Sequence, residues 1–129
     1  MNKKILITGT VLGILGIILG AFAAHGLEDK ITTDAIATFE TGVRYQMYHA
    51  LFLLIIGFGT FLSSKAKKAI WILLIFGLLF FSGSIYGLAT NELTSFDFKK
   101  IAWITPVGGM LLVISWIVLL VNLVKYKKD

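Results

Sequence analysis

The chain has 129 residues, 57% of them hydrophobic, and 12 Lys and Arg against 7 Asp and Glu give a net charge of +5. A water-soluble chain of this length could not hide so much apolar surface, and the lack of cysteine excludes disulfides and thiol chemistry. The lysines form short clusters beside hydrophobic stretches, a placement that orients membrane proteins and does not make a nucleic-acid face.

Four runs contain no Asp, Glu, Lys or Arg: Ile5–Ala24, Tyr45–Leu62, Ala69–Thr90 and Ile101–Val124, of 20, 18, 22 and 24 residues. A helix rises about 1.5 Å per residue, so about 20 apolar residues cross a hydrocarbon core of about 30 Å. The runs predict an all-α four-helix transmembrane bundle, a single membrane domain over 1–129 with no room for a separate soluble domain.

The first run follows Lys3 and Lys4 and ends at Ala21-Phe22-Ala23, which imitates a signal-peptidase site. Its apolar stretch exceeds the usual secretory length of about 7–15 residues, so it reads as an uncleaved helix. Gly9, Gly13, Gly16 and Gly20 make a stripe along one narrow face. In lipid such a stripe lets two backbones approach closely. Packing within the bundle is the plainer reading of it, and a homo-oligomer through the stripe is the sharper one.

Before the second run, Thr32, Thr33 or Asp34 offers a helix cap. Ile36, Phe39, Val43 and Met47 share a face, predicting an amphipathic helical extension that begins near Asp34 and continues into the span. In the third run Ser82, Tyr86 and Thr90 follow at four-residue spacing, with Gly83 and Gly87 as packing positions one step round. In the fourth, Thr105-Pro106 lies five residues in. Either Pro106 starts the helix with Thr105 as its cap, leaving Lys99–Ile104 as an interfacial segment, or it kinks the helix.

With four spans both termini share a side. That side and the middle loop carry Lys3, Lys4, Lys65, Lys67, Lys68, Lys125, Lys127 and Lys128, and the other two loops carry Lys30, Arg44, Lys99 and Lys100. Positive residues stay cytoplasmic, so both termini are expected inside, and a reporter fused at Asp129 is expected to read as cytoplasmic.

That topology sends the polar residues toward one end. His25, Glu40, Arg44, Tyr45, Gln46, His49, Ser82, Ser84, Tyr86 and Thr105 all fall in the outer part of their helices, and the inner halves look nearly bare apart from Asn122, Ser63 and Ser64. Intramembrane polar groups face the bundle interior or a watery cavity, so these ten form the candidate cluster. Glu40 and Arg44 are spaced for an ion pair, about 140° around the helix from His49. A shared site therefore needs other helices to contribute.

Gly20-Ala21-Phe22-Ala23-Ala24-His25-Gly26-Leu27 resembles the first signature of the family called domain of unknown function 423, which is similar to eukaryotic transmembrane protein 256. Arg44–Leu51, Phe81–Tyr86 and Thr105–Gly109 resemble its other three motifs, in order. Ala23 stands where the family often has Gly, which implies looser packing there. The resemblance implies a small multi-pass membrane protein of the bacterial plasma membrane and brings no reaction with it.

For function, the residues favour a non-enzymatic bundle that binds membrane lipid or a partner, because interhelical hydrogen bonds and one surface ion pair account for the polar groups. A small-solute or proton carrier is an alternative, drawn from the intramembrane histidine. A haem or metal site on His25 and His49 is another, resting on their expected similar depth. No nucleophile elbow, zinc-binding helix or aspartate pair points to an enzyme. No cofactor and no nucleic-acid partner is expected.

Overall fold

The computed structural model describes residues 2–127; Met1, Lys128 of the C-terminal lysine cluster and Asp129, the reporter position, lie outside them. Four long helices account for the fold: α1 (Asn2–Ala21), α2 (Thr33–Phe58), α3 (Ser64–Ala89) and α4 (Ile104–Lys125), with no strand among the described residues. The all-helical four-helix expectation holds.

The helix ends follow from local chemistry. Thr32 caps α2, its hydroxyl accepting from the Ala35 amide at 3.1 Å, and Ser63 caps α3 through the Ala66 amide at 3.2 Å. The α1 helix does not stop at Ala21 but widens into a π-helical turn over Phe22–Gly26, closed by the Leu27 amide on the Phe22 carbonyl at 3.1 Å. That turn coincides with the His25 motif. It keeps Ala23 and Leu27 fully buried.

Pro106 lies in the first turn of α4, where its missing N–H costs nothing. The kink is therefore not formed, and Thr105 is not the cap, since α4 already begins at Ile104. Phe98–Ile101 forms a short 3-10 turn before it.

Asn2–Gly26, Ser64–Ala89 and Ile104–Lys125 are long and apolar enough to cross a membrane. The second helix is equally long but differs in kind. Asp34, Glu40 and Arg44 occupy its early turns, and it ends at Phe58, where Gly59 turns extended, so Gly59–Leu62 of the expected run is not helical. Its apolar part, Tyr45–Phe58, is about 21 Å long at 1.5 Å per residue.

The helices pack in chain order, α1 on α2, α2 on α3 and α3 on α4. Glycine contacts fix the antiparallel registers. Gly9 stands against Ala50, Gly16 against Met47 and Gly20 against Val43, so three of the four stripe glycines face α2 within the chain, while Gly13 fronts open space. Between α3 and α4 the closest approach is Gly77 against Leu112 and Gly108 against Phe80 and Phe81. Of the expected third-helix packing glycines, Gly87 meets the Phe98 ring and Gly83 meets almost nothing. The core runs through Ile5, Leu53, Ile56, Ile70 and Leu74, all fully buried, while Ile7, Ile14, Ile17, Val113, Ile117 and Leu120 are exposed. An exposed apolar mantle around a packed interior belongs in lipid.

Candidate functional site

Three helices meet at Gln46, on the buried face of α2. Its Nε2 donates to the Leu12 carbonyl of α1 at 2.8 Å, and its Oε1 accepts from the Tyr86 hydroxyl of α3 at 2.6 Å. A backbone carbonyl only accepts, so this pairing fixes which end of the amide is which. The Tyr86 ring is held against Phe39, with centroids 4.7 Å apart, and over the bare backbone of Gly42. Ser82, one turn earlier on α3, donates to the Gly42 carbonyl at 2.8 Å. Gln46 and Tyr86 thus form a neutral hydrogen-bonded pair, with Ser82 beside them on the Gly42 carbonyl.

Beside it lies a crevice of about 410 Å³ between α1 and α3. Leu12, Leu15 and Leu19 make one wall and Ile75, Leu78 and Leu79 the other, with Gln46, Ser82 and Tyr86 lining it as well. At the end nearer the termini Thr8 lines the crevice, and its hydroxyl accepts from Trp71 Nε1 at 3.0 Å, tying α1 to α3. No charged side chain lines it.

The other sequence candidates lie apart from this set. His49 is buried and faces α4. Its Nδ1 pairs with the Tyr45 carbonyl at 2.7 Å, and its Nε2 accepts from Trp116 Nε1 at 3.0 Å, which makes Nδ1 the protonated nitrogen of a neutral ring. His25 is exposed in the π-helical turn, five residues beyond the level where Gly20 meets Val43. The two imidazoles therefore stand at different heights, about 16 Å apart along the bundle by helical rise, and do not share a site. The common depth expected of them is corrected by the register. Among the described residues no group of three metal-ligating side chains gathers anywhere.

Glu40, Arg44 and Tyr45 are exposed. The Arg44 guanidinium donates to Thr41 Oγ1 at 3.0 Å, one turn back, and the Glu40–Arg44 ion pair is not formed. Tyr45 leans on Phe81, with centroids 5.0 Å apart. Ser84 and Thr105 hydrogen-bond to each other across α3 and α4. The ten candidates thus divide into an exposed rim, a Ser84–Thr105 clasp, the His49–Trp116 pair and the Gln46 set.

The end of the bundle near the termini, expected to be nearly bare apart from Asn122, Ser63 and Ser64, also holds a buried lysine. Lys67 is 4% exposed, and its Nζ donates to the Gly59 carbonyl at 2.7 Å and to Asn2 Oδ1 at 3.1 Å. A signal for this was present: Lys67, Ile70, Leu74 and Leu78 share one helical face, so one lysine of that cluster falls in phase with the core.

The family model described as protein of unknown function (DUF423) matches residues 19–109. A UPF0382 membrane protein of Staphylococcus epidermidis is 41% identical over 126 residues, covering 96% of this chain and 98% of its own. The UPF0382 membrane protein YwdK of Bacillus subtilis is 39% identical over 130 residues, with the same two coverages of 96% and 98%. One from Haemophilus influenzae is 36% identical over 117 residues, covering 91% of this chain and 90% of its own. No solved structure matches.

Proposed function

The chain belongs to the DUF423 family of membrane proteins, and from that premise we propose that it is a non-enzymatic plasma-membrane protein, with both termini cytoplasmic, that holds a lipid in the crevice between α1 and α3. The observation that carries this reading is the crevice itself: about 410 Å³ of space walled by leucine and isoleucine. Binding sites for small apolar molecules are concavities of about 300–1,000 Å³ with few polar groups, and this one fits that description.

A carrier needs a continuous polar path. Here the buried polar groups stand in separate sets, and every buried side-chain polar atom among the described residues has at least one partner. The excess of lysine at Lys3, Lys4, Lys65, Lys67, Lys68, Lys125 and Lys127 supports the cytoplasmic placement of that end.

Gly83 borders the crevice and a Cβ there would meet only Leu79 Cδ1 at 4.0 Å, so Gly83→Trp carries a large ring into the space from α3. Native mass spectrometry of protein released from its own membrane is expected to show retained lipid on the parent and about tenfold less on Gly83→Trp, a loss of about 1.4 kcal/mol. Equal retention at unchanged helicity would remove the crevice from the reading. A reporter fused at Asp129 checks the orientation, which fails if the fusion is active only outside the cell.

A further inference from the structure

The hydrogen-bonding capacity left in the crevice identifies what it takes. Ser82 has given its proton to Gly42, Tyr86 to Gln46, and Thr8 to the Lys4 carbonyl at 2.7 Å. Gln46 has two amide protons and Leu12 receives one. The second Gln46 N–H is the one side-chain proton donor of the crevice wall with no protein acceptor. Gln46 is 5% exposed, and an unmatched N–H in hydrocarbon costs about 1–3 kcal/mol. The missing group is an acceptor.

Depth narrows it further. Leu12 stands about 15 Å along α1 from Asn2 and about 14 Å from Ala21, so the donor meets α1 at the mid-height of that helix, on the side of the exposed Arg44 that is nearer the termini. Phospholipids hold their charged heads and ester carbonyls at the interface, half a bilayer away. No Lys, Arg or His lines the crevice to accept a phosphate or a fatty-acid carboxylate. A ligand that brings a carbonyl to mid-membrane without charge is an isoprenoid quinone.

Resting on the lipid reading of this crevice, we propose that it is a quinone site in which the ring carbonyl accepts from Gln46 Nε2–H and the tail lies along Leu15, Leu19 and Leu79. The Tyr86 ring, fixed by Phe39, orients the Gln46 amide through its own hydroxyl and is a positioning residue.

The test uses the full chain in nanodiscs, with decylubiquinone as probe, decylbenzene as its carbonyl-free counterpart, and empty nanodiscs subtracted. Decylubiquinone is expected to bind saturably, one per chain, with its infrared carbonyl stretch lowered by the hydrogen bond. Gln46→Leu is expected to weaken it about tenfold, to abolish the infrared shift and to leave decylbenzene unchanged. Gln46→Met, also without a donor, gives the same result should the leucine variant fail to fold. Gly83→Trp is expected to abolish both probes. The quinone assignment is overturned if decylubiquinone binds no better than decylbenzene, or if both donor-less variants bind it as the parent does. In that event, endogenous lipid lost on Gly83→Trp still upholds the crevice as a lipid site. Lipid unaffected by Gly83→Trp brings down both.

Discussion

Gly108→Leu is expected to destabilise the bundle by about 3 kcal/mol or more, read as a large fall in melting temperature in detergent or as loss of monodisperse protein. A Cβ at Gly108 would stand 2.7 Å from the Phe80 carbonyl carbon and 2.8 Å from the Gly77 carbonyl oxygen. These are backbone atoms of the facing helix, so no side chain can swing aside. The helices must separate instead, and with them go the Leu112 packing against Gly77 and the Ser84–Thr105 hydrogen bond. In lipid, helix association rests on van der Waals packing and a few polar contacts, so nothing replaces a lost close approach. Gly83→Ala is the control: its Cβ would meet only Leu79 Cδ1 at 4.0 Å, and its effect is expected within about 0.5 kcal/mol. If Gly108→Leu melts like the parent, the α3–α4 register is wrong.

Lys67→Met is expected to cost about 2 kcal/mol, in the range for hydrogen bonds made by a charged group. Lys67 joins three elements. Its stem lies with the core face of α3, its ammonium meets the Gly59 carbonyl just past the end of α2, and it also meets Asn2 at the start of α1. A cation at a helix C-terminus satisfies the open carbonyls there and opposes the helix dipole. Methionine keeps the volume and leaves those acceptors unmatched. Hydrogen exchange is expected to rise at the last amides of α2, near Ile55–Phe58, while the middle of α2 stays protected. Lys68→Met, at the exposed neighbouring position, is expected to change nothing measurable. Equal behaviour of the two variants would mean that Lys67 is an ordinary interfacial lysine.

The two glycine patterns show where sequence reading ended. The stripe at Gly9, Gly16 and Gly20 is visible as a face and does meet a helix, but which helix it meets follows from the fold. The tighter junction, Gly77 with Gly108, has one glycine in each of two runs, and no spacing within either run links them. The histidines show the same limit. Both are legible as intramembrane or near-membrane imidazoles, yet only the register places His49 on Trp116 and leaves His25 exposed in its π-helical turn.

Membrane residence, four helices, an early start for α2 and the capping region at Thr32 were written into the chain alone, because run length, charge exclusion and helical periodicity are local properties that each segment carries by itself. The sharing of protons among Gln46, Tyr86 and Leu12, the burial of Lys67 and the crevice between α1 and α3 came only with the assembled bundle. Those features depend on how far each helix slides and turns against its neighbours. That is settled by close contacts between residues up to 67 positions apart, of which Trp116 with His49 is the longest-range hydrogen bond here.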